Sequence, residues 1–147
     1  MKRKAEPKKF YFVEVNPRPC STEELELHLR AFGNEFIEPS NLNRWTHIIF
    51  EKPEKAKNEL SKLGNCINKK FFHTLIGSES FPVSLFEKFG NREGVFFDGI
   101  EVPCKLTASE AASLKEERDV NALFSIIPGK LALFFFHDGD VMLCEKK

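Results

Sequence analysis

The sequence predicts an α+β fold. Its first half reads as a βαββαβ unit, a four-stranded antiparallel sheet with two helices on one face, and its second half as a smaller α+β extension. Three observations carry this expectation. Residues 10–77 alternate between aromatic or β-branched runs and amphipathic runs. Helix start and stop signals flank the amphipathic runs. Two Asp-Gly pairs in the second half sit between apolar runs, the signal of a β-hairpin.

The elements follow in chain order. Residues 1–9, "MKRKAEPKK", form a basic arm with no apolar stretch behind it to serve as a secretory signal core. "FYFVEV", residues 10–15, predicts a first strand with Phe10 and Phe12 toward the helices and Tyr11 outward, and "NPRPC" breaks it. In "STEELELHLRAFG", Ser21 and Glu24 have capping-box spacing; Leu25, Leu29 and Phe32 share a helix face, and Gly33 is placed to end the helix. "EFIEP" predicts a short second strand closed by Pro39.

The segment "NRWTHIIFEKPEKAKNEL", residues 43–60, predicts a third strand over Trp45–Glu51 running into a second helix. In a strand, Thr46, Ile48 and Phe50 point one way and Trp45, His47 and Ile49 the other. Pro53 suits a first helical turn, and Ala56, Leu60 and Leu63 make the apolar face before Gly64. "FFHTLI", residues 71–76, predicts the fourth strand. The expected core of this half is Phe10, Phe12, Leu25, Leu29, Phe32, Ile48, Phe50, Ala56, Leu60 and Leu63.

Composition excludes several classes. At 41% hydrophobic and 30% charged the chain is globular, and no apolar run reaches the ~20 residues of a membrane span. Cys20, Cys66, Cys104 and Cys144 are scattered without a CxxC pair, so no zinc site is expected and the thiols fit a reducing compartment. Twenty-two basic residues balance 22 acidic ones, so nucleic-acid binding would need a local patch. No phosphate-cradling loop or nucleophile motif is present, and neither a cofactor nor an enzymatic activity is expected. His28 and His73 read as structural or surface residues.

The order and spacing of residues 10–77 resemble the RNA-recognition motif family. "STEELELHLRAFG" is similar to its first helix, "IIFEKPEKAKNEL" to its third strand and second helix, and "INKKFFHTLI" to the approach to its fourth strand. Family members stack single-stranded RNA bases on the bare sheet face. The resemblance lays the family's octamer on Asn43–Phe50, with Trp45 and His47 at its stacking positions, and places Tyr11 at the hexamer's stacking position. It implies phosphate contacts from Arg44, Lys69 and Lys70. Asn43 stands where the octamer has a basic residue and Arg44 where it has glycine.

In the extension, residues 78–147, "FPVSLFEKFG" predicts a short helix, "GVFFDGIEVPCKL" and "KLALFFFHDGDVML" two hairpins, and "TASEAASLKEERDV" a helix opened by a Thr107–Glu110 capping box. The order is ββαββ. His137, Asp138 and Asp140 read as a charged turn rather than a metal site.

Two functional expectations follow. The first is single-stranded RNA binding through Tyr11, Trp45 and His47. The second is a protein-interaction subunit of a ribonucleoprotein or RNA-processing complex; the neutral charge and altered octamer favour it, while the retained aromatics favour the first. No membrane partner is expected, and the basic N-terminus, as a nuclear-localisation or phosphate-contacting arm or a solvated tail, leaves the location nuclear or cytoplasmic.

Overall fold

The computed structural model describes residues 13–63, 66–68, 70, 72–75, 89, 92–118, 121–136 and 141–146. Seven strands form one antiparallel sheet: β1 (Arg18–Pro19), β2 (Phe72–Leu75), β3 (Glu93–Phe97), β4 (Cys104–Thr107), β5 (Ala122–Ile127), β6 (Leu131–Phe135) and β7 (Val141–Glu145), in the order β1-β4-β3-β5-β6-β7-β2. The helices are α1 (Thr22–Phe36), α2 (Pro39–Glu51), α3 (Ala56–Ser61), preceded by a 3-10 turn Pro53–Lys55, and α4 (Ala108–Arg118).

Both faces of the sheet are covered, so its central strands read as near-continuous apolar runs, with Ser125 of β5 a buried polar exception, rather than alternating. Phe96, Phe124, Leu133, Phe135 and Leu143 face one cluster, which α4 closes with Ala108, Ala111, Ala112 and Leu114 and to which Phe89 belongs. Phe97, Leu123, Ala132, Phe134 and Met142 face the other, closed by Leu29, Phe32 and Phe36 of α1, Trp45 and Ile49 of α2, and Ala56 and Leu60 of α3. The register matches this division, with Phe96 opposite Phe124, Phe124 opposite Leu133, and Phe134 opposite Met142.

The α+β class stands, and several elements form as expected. Ser21 caps α1, its Oγ accepting from Glu24 N at 3.1 Å. Ala56, Leu60 and Leu63 are buried as one face. β2 occupies residues 72–75, and β3 and β4 pair antiparallel around Asp98-Gly99. The Thr107–Glu110 capping box is complete: Glu110 N donates to Thr107 Oγ1 at 3.2 Å and Thr107 N donates to Glu110 Oε1 at 2.7 Å. Of the expected core, Leu29, Phe32, Ile48, Ala56, Leu60 and Leu63 are buried, Leu25 and Phe50 are partly so, and Phe10 and Phe12 lie outside the described residues.

Other elements are corrected. Trp45–Glu51, expected as the third strand, is the body of α2. Trp45, Ile48 and Ile49 fall at i, i+3 and i+4, which builds a helical stripe, and Pro39 starts the helix instead of ending a strand. "EFIEP" is not a strand either: Glu35 and Phe36 finish α1, and Ile37 makes one bridge to Ile67. Helix α1 runs through Gly33, where a Cβ would lie 2.6 Å from the Trp45 indole, so this glycine serves close helix contact rather than termination.

In the expected first strand, Val13–Val15 are not strand, and the short pairing falls at Arg18–Pro19 in the segment read as a breaker. β2 pairs with β7 rather than with a strand from residues 10–63. The second half gains β5, absent from the expected ββαββ order, joined to β6 by a turn at Gly129, φ 72°. The helix expected near "FPVSLFEKFG" lies outside the described residues apart from the buried Phe89, as do Gly64, the Asp138-Gly139 turn and the 137–140 cluster. The two halves share the second of these clusters, because α1–α3 pack on strands of the second half.

Candidate interaction groove

The connection between β3 and β4 is a loop of residues 98–103, "DGIEVP". The buried Asp98 accepts through Oδ1 from Ile100 N at 2.9 Å and Glu101 N at 3.0 Å, an Asx turn that holds the loop's shape. Gly99 has φ 75°, and a Cβ there would meet Lys57 N at 2.7 Å and Ala56 C at 3.0 Å, so the loop is seated on the start of α3. Pro103 stops β4 from extending backward as a paired strand. The loop is thus fixed from both ends, yet it leaves Ile100 49% and Val102 86% exposed.

These two side chains border an apolar groove of about 710 Å³. Its apolar lining comes from Leu25 and Leu29 of α1, Ile49 and Phe50 of α2, and Phe97 of β3, with Pro53 and Pro103. Arg30 lies on the rim, its guanidinium 4.2 Å from the Phe50 ring centroid and 2.9 Å from Glu26 Oε2. Glu51 and Glu101 are the other charged lining residues. A second cleft of about 380 Å³ lies against the same loop, lined by Pro17, Pro19, Phe96 and Leu114 among others.

Two buried polar groups support this frame. The Glu110 carboxylate, 7% exposed, accepts from Thr107 N, from Asn16 N at 2.9 Å and from Arg18 Nη2 at 2.8 Å. Burial alone would raise its pKa, but the Arg18 and backbone hydrogen bonds outweigh it and hold the group at about 2. It thereby ties the N-terminal segment to α4, as does the bond from Val13 N to Ser113 Oγ at 3.0 Å. His28 Nδ1 meets Ser125 Oγ at 2.7 Å, both enclosed, and burial lowers the His28 pKa. This serine–histidine pair lines neither of the two clefts and joins α1 to β5.

The residues expected to bind RNA are dispersed. Trp45 is 2% exposed, donates from Nε1 to Leu29 O at 3.4 Å, and packs 5.7 Å from the Phe32 ring centroid; it is not on an open sheet face. His47 and Arg44 are exposed on α2, but each is paired, His47 with Glu51 at 3.1 Å and Arg44 with the buried Glu59 at 3.2 Å. Lys70 is exposed on another segment, and Tyr11 and Lys69 lie outside the described residues.

Burial raises the Cys20 and Cys66 thiols and pushes Cys144 up to about 12. Among the described residues no three His, Cys, Asp or Glu side chains converge as metal ligands, and no helix is long and apolar enough to cross a membrane. The groove itself escaped the sequence reading. Its one local signal is a pair of β-branched residues between Asp-Gly and Pro, too short and too interrupted to be strand. Compared with protein-family models, curated proteins and solved structures, the chain finds no match in any of the three.

Proposed function

We propose that this chain is a protein-interaction module that docks a partner segment in the groove between α1, α2 and the 98–103 loop. The observation that carries the reading is the pair Ile100 and Val102. They belong to neither core cluster, yet an Asx turn and a seated glycine hold them in the open beside an apolar lining. Exposed aliphatic side chains on a fixed loop at the edge of a groove of a few hundred Å³ have the properties of interface anchors.

This reading is preferred to base stacking because Trp45 is enclosed and the expected phosphate contacts do not gather around it. The ribonucleoprotein setting belongs to the resemblance over residues 10–77, whose third strand is replaced by α2, and is not part of the proposal. The reading is non-enzymatic, an interaction role for the groove and structural roles for the buried polar pairs.

The test is to pan a random peptide library displayed on phage against the wild type and the Ile100→Ser/Val102→Ser variant in parallel. Clones enriched on the wild type alone are expected. Equal enrichment on both proteins would place recognition elsewhere and defeat the proposal.

A further inference from the structure

The groove has an apolar lining but an uneven charge at its rim. Three carboxylates line it, Glu26, Glu51 and Glu101, against one guanidinium, Arg30. Arg30 is already engaged with Glu26 and with the Phe50 ring. Glu51 is paired, among the described residues, only with His47, and the exposed Glu101 carboxylate has no ion-pair partner there.

The helix ends leave this imbalance to the side chains. Helix α2 delivers its C-terminal residues Ile49, Phe50 and Glu51 to the groove, and its C-cap, Lys52, already places a cation at that carbonyl end. The carbonyl end of a helix carries partial negative charge and favours a cation nearby. Helix α1 brings the opposite end at Thr22, but Glu23 and Glu24 in its first turn already answer that charge. Lys52, Lys55 and Lys57 are exposed on the adjoining segment without lining the groove.

Resting on the docking reading above, we infer that the occupant is a basic peptide segment of a partner protein, with an aliphatic or aromatic anchor flanked by Lys or Arg. The anchor packs on the lining formed by Leu25, Ile49, Phe50 and Phe97, beside Ile100 and Val102. The flanking cations meet Glu51 and Glu101. Such pairing across a rim governs selectivity and association rate more than total affinity, and it weakens with salt.

The experiment uses peptides recovered from the random library whose binding requires Ile100 and Val102. Basic residues are expected beside the apolar anchor in these clones. The Glu51→Lys/Glu101→Lys variant, altered only at exposed positions, should bind the same peptides at least ~10-fold more weakly at low salt. Groove-dependent clones that are neutral or acidic, or affinity unchanged by the charge reversal, would overturn the basic partner and leave the docking site standing. An absence of groove-dependent clones would overturn both. A concentration-dependent dimer in sedimentation, lost in Ile100→Ser/Val102→Ser, would overturn the inference by identifying a second copy of the chain as the occupant.

Discussion

Two regions of the molecule carry large apolar side chains beside a glycine in close contact, and they use them oppositely. At the α1–α2 seam, Gly33 lets the Trp45 indole approach the α1 backbone, and the ring is enclosed beside Phe32. At the β3–β4 loop, Gly99 lets the chain settle on α3, and Ile100 and Val102 remain in the open. The seam spends its hydrophobic surface on the fold. The loop is equally well anchored and keeps its surface unburied, which is what a docking edge requires and a core does not.

The strongest way to break this comparison is at the seam. Trp45→Ala should cost about 3–5 kcal/mol of stability, the usual range for emptying a buried large aromatic. A urea midpoint like that of the wild type would mean that Trp45 is exposed, and base stacking would return as its role. Next comes Gly33→Ala. Its Cβ meets a packed indole at 2.6 Å, so overpacking of about 1–3 kcal/mol is expected despite alanine's better helix propensity. Gly99→Ala should cost a similar ~1–3 kcal/mol, because a left-handed φ is combined with backbone atoms that cannot step aside. Equal stability of Gly99→Ala and wild type would show that the loop is not seated.

A milder probe is acid. His28 is held neutral by burial, so the unfolded chain takes up its proton first; stability should begin to fall as pH drops through about 6.5. Glu110 is depressed from 4.5 to about 2, so its contribution is present above pH 4.5 and is lost as pH falls toward 2. Denaturant midpoints against pH should therefore decline in two steps, and Glu110→Gln should flatten the lower one. An unaltered lower step would remove Glu110 as the pin of the N-terminal segment. The smallest effect belongs to the loop: Ile100→Ser/Val102→Ser should change stability by no more than about 0.5 kcal/mol per site, as for other surface substitutions.

The sequence made parts of this structure legible and hid others for physical reasons. The caps of α1 and α4 and the apolar face of α3 are local signals, set by residues within one or two turns of each other, and they read correctly. The stretch Trp45–Phe50 carries apolar residues on both strand parities and also at helical spacing, so its alternation pointed to a strand where the i, i+3, i+4 stripe builds a helix. The pairing of β2 with β7 joins residues about 70 positions apart, which no local pattern encodes. The candidate site was least legible of all. Leu25, Phe50, Phe97 and Val102 come from four separate elements and meet only once the chain is folded.

The central claim is that Ile100 and Val102 are held open for a partner. Its most direct test is a calorimetric titration of one peptide recovered on the wild type into the wild type and into Ile100→Ser/Val102→Ser, two proteins expected to be equally stable. The account predicts affinity at least ~10-fold weaker for the variant. Equal affinity for the two proteins would contradict it.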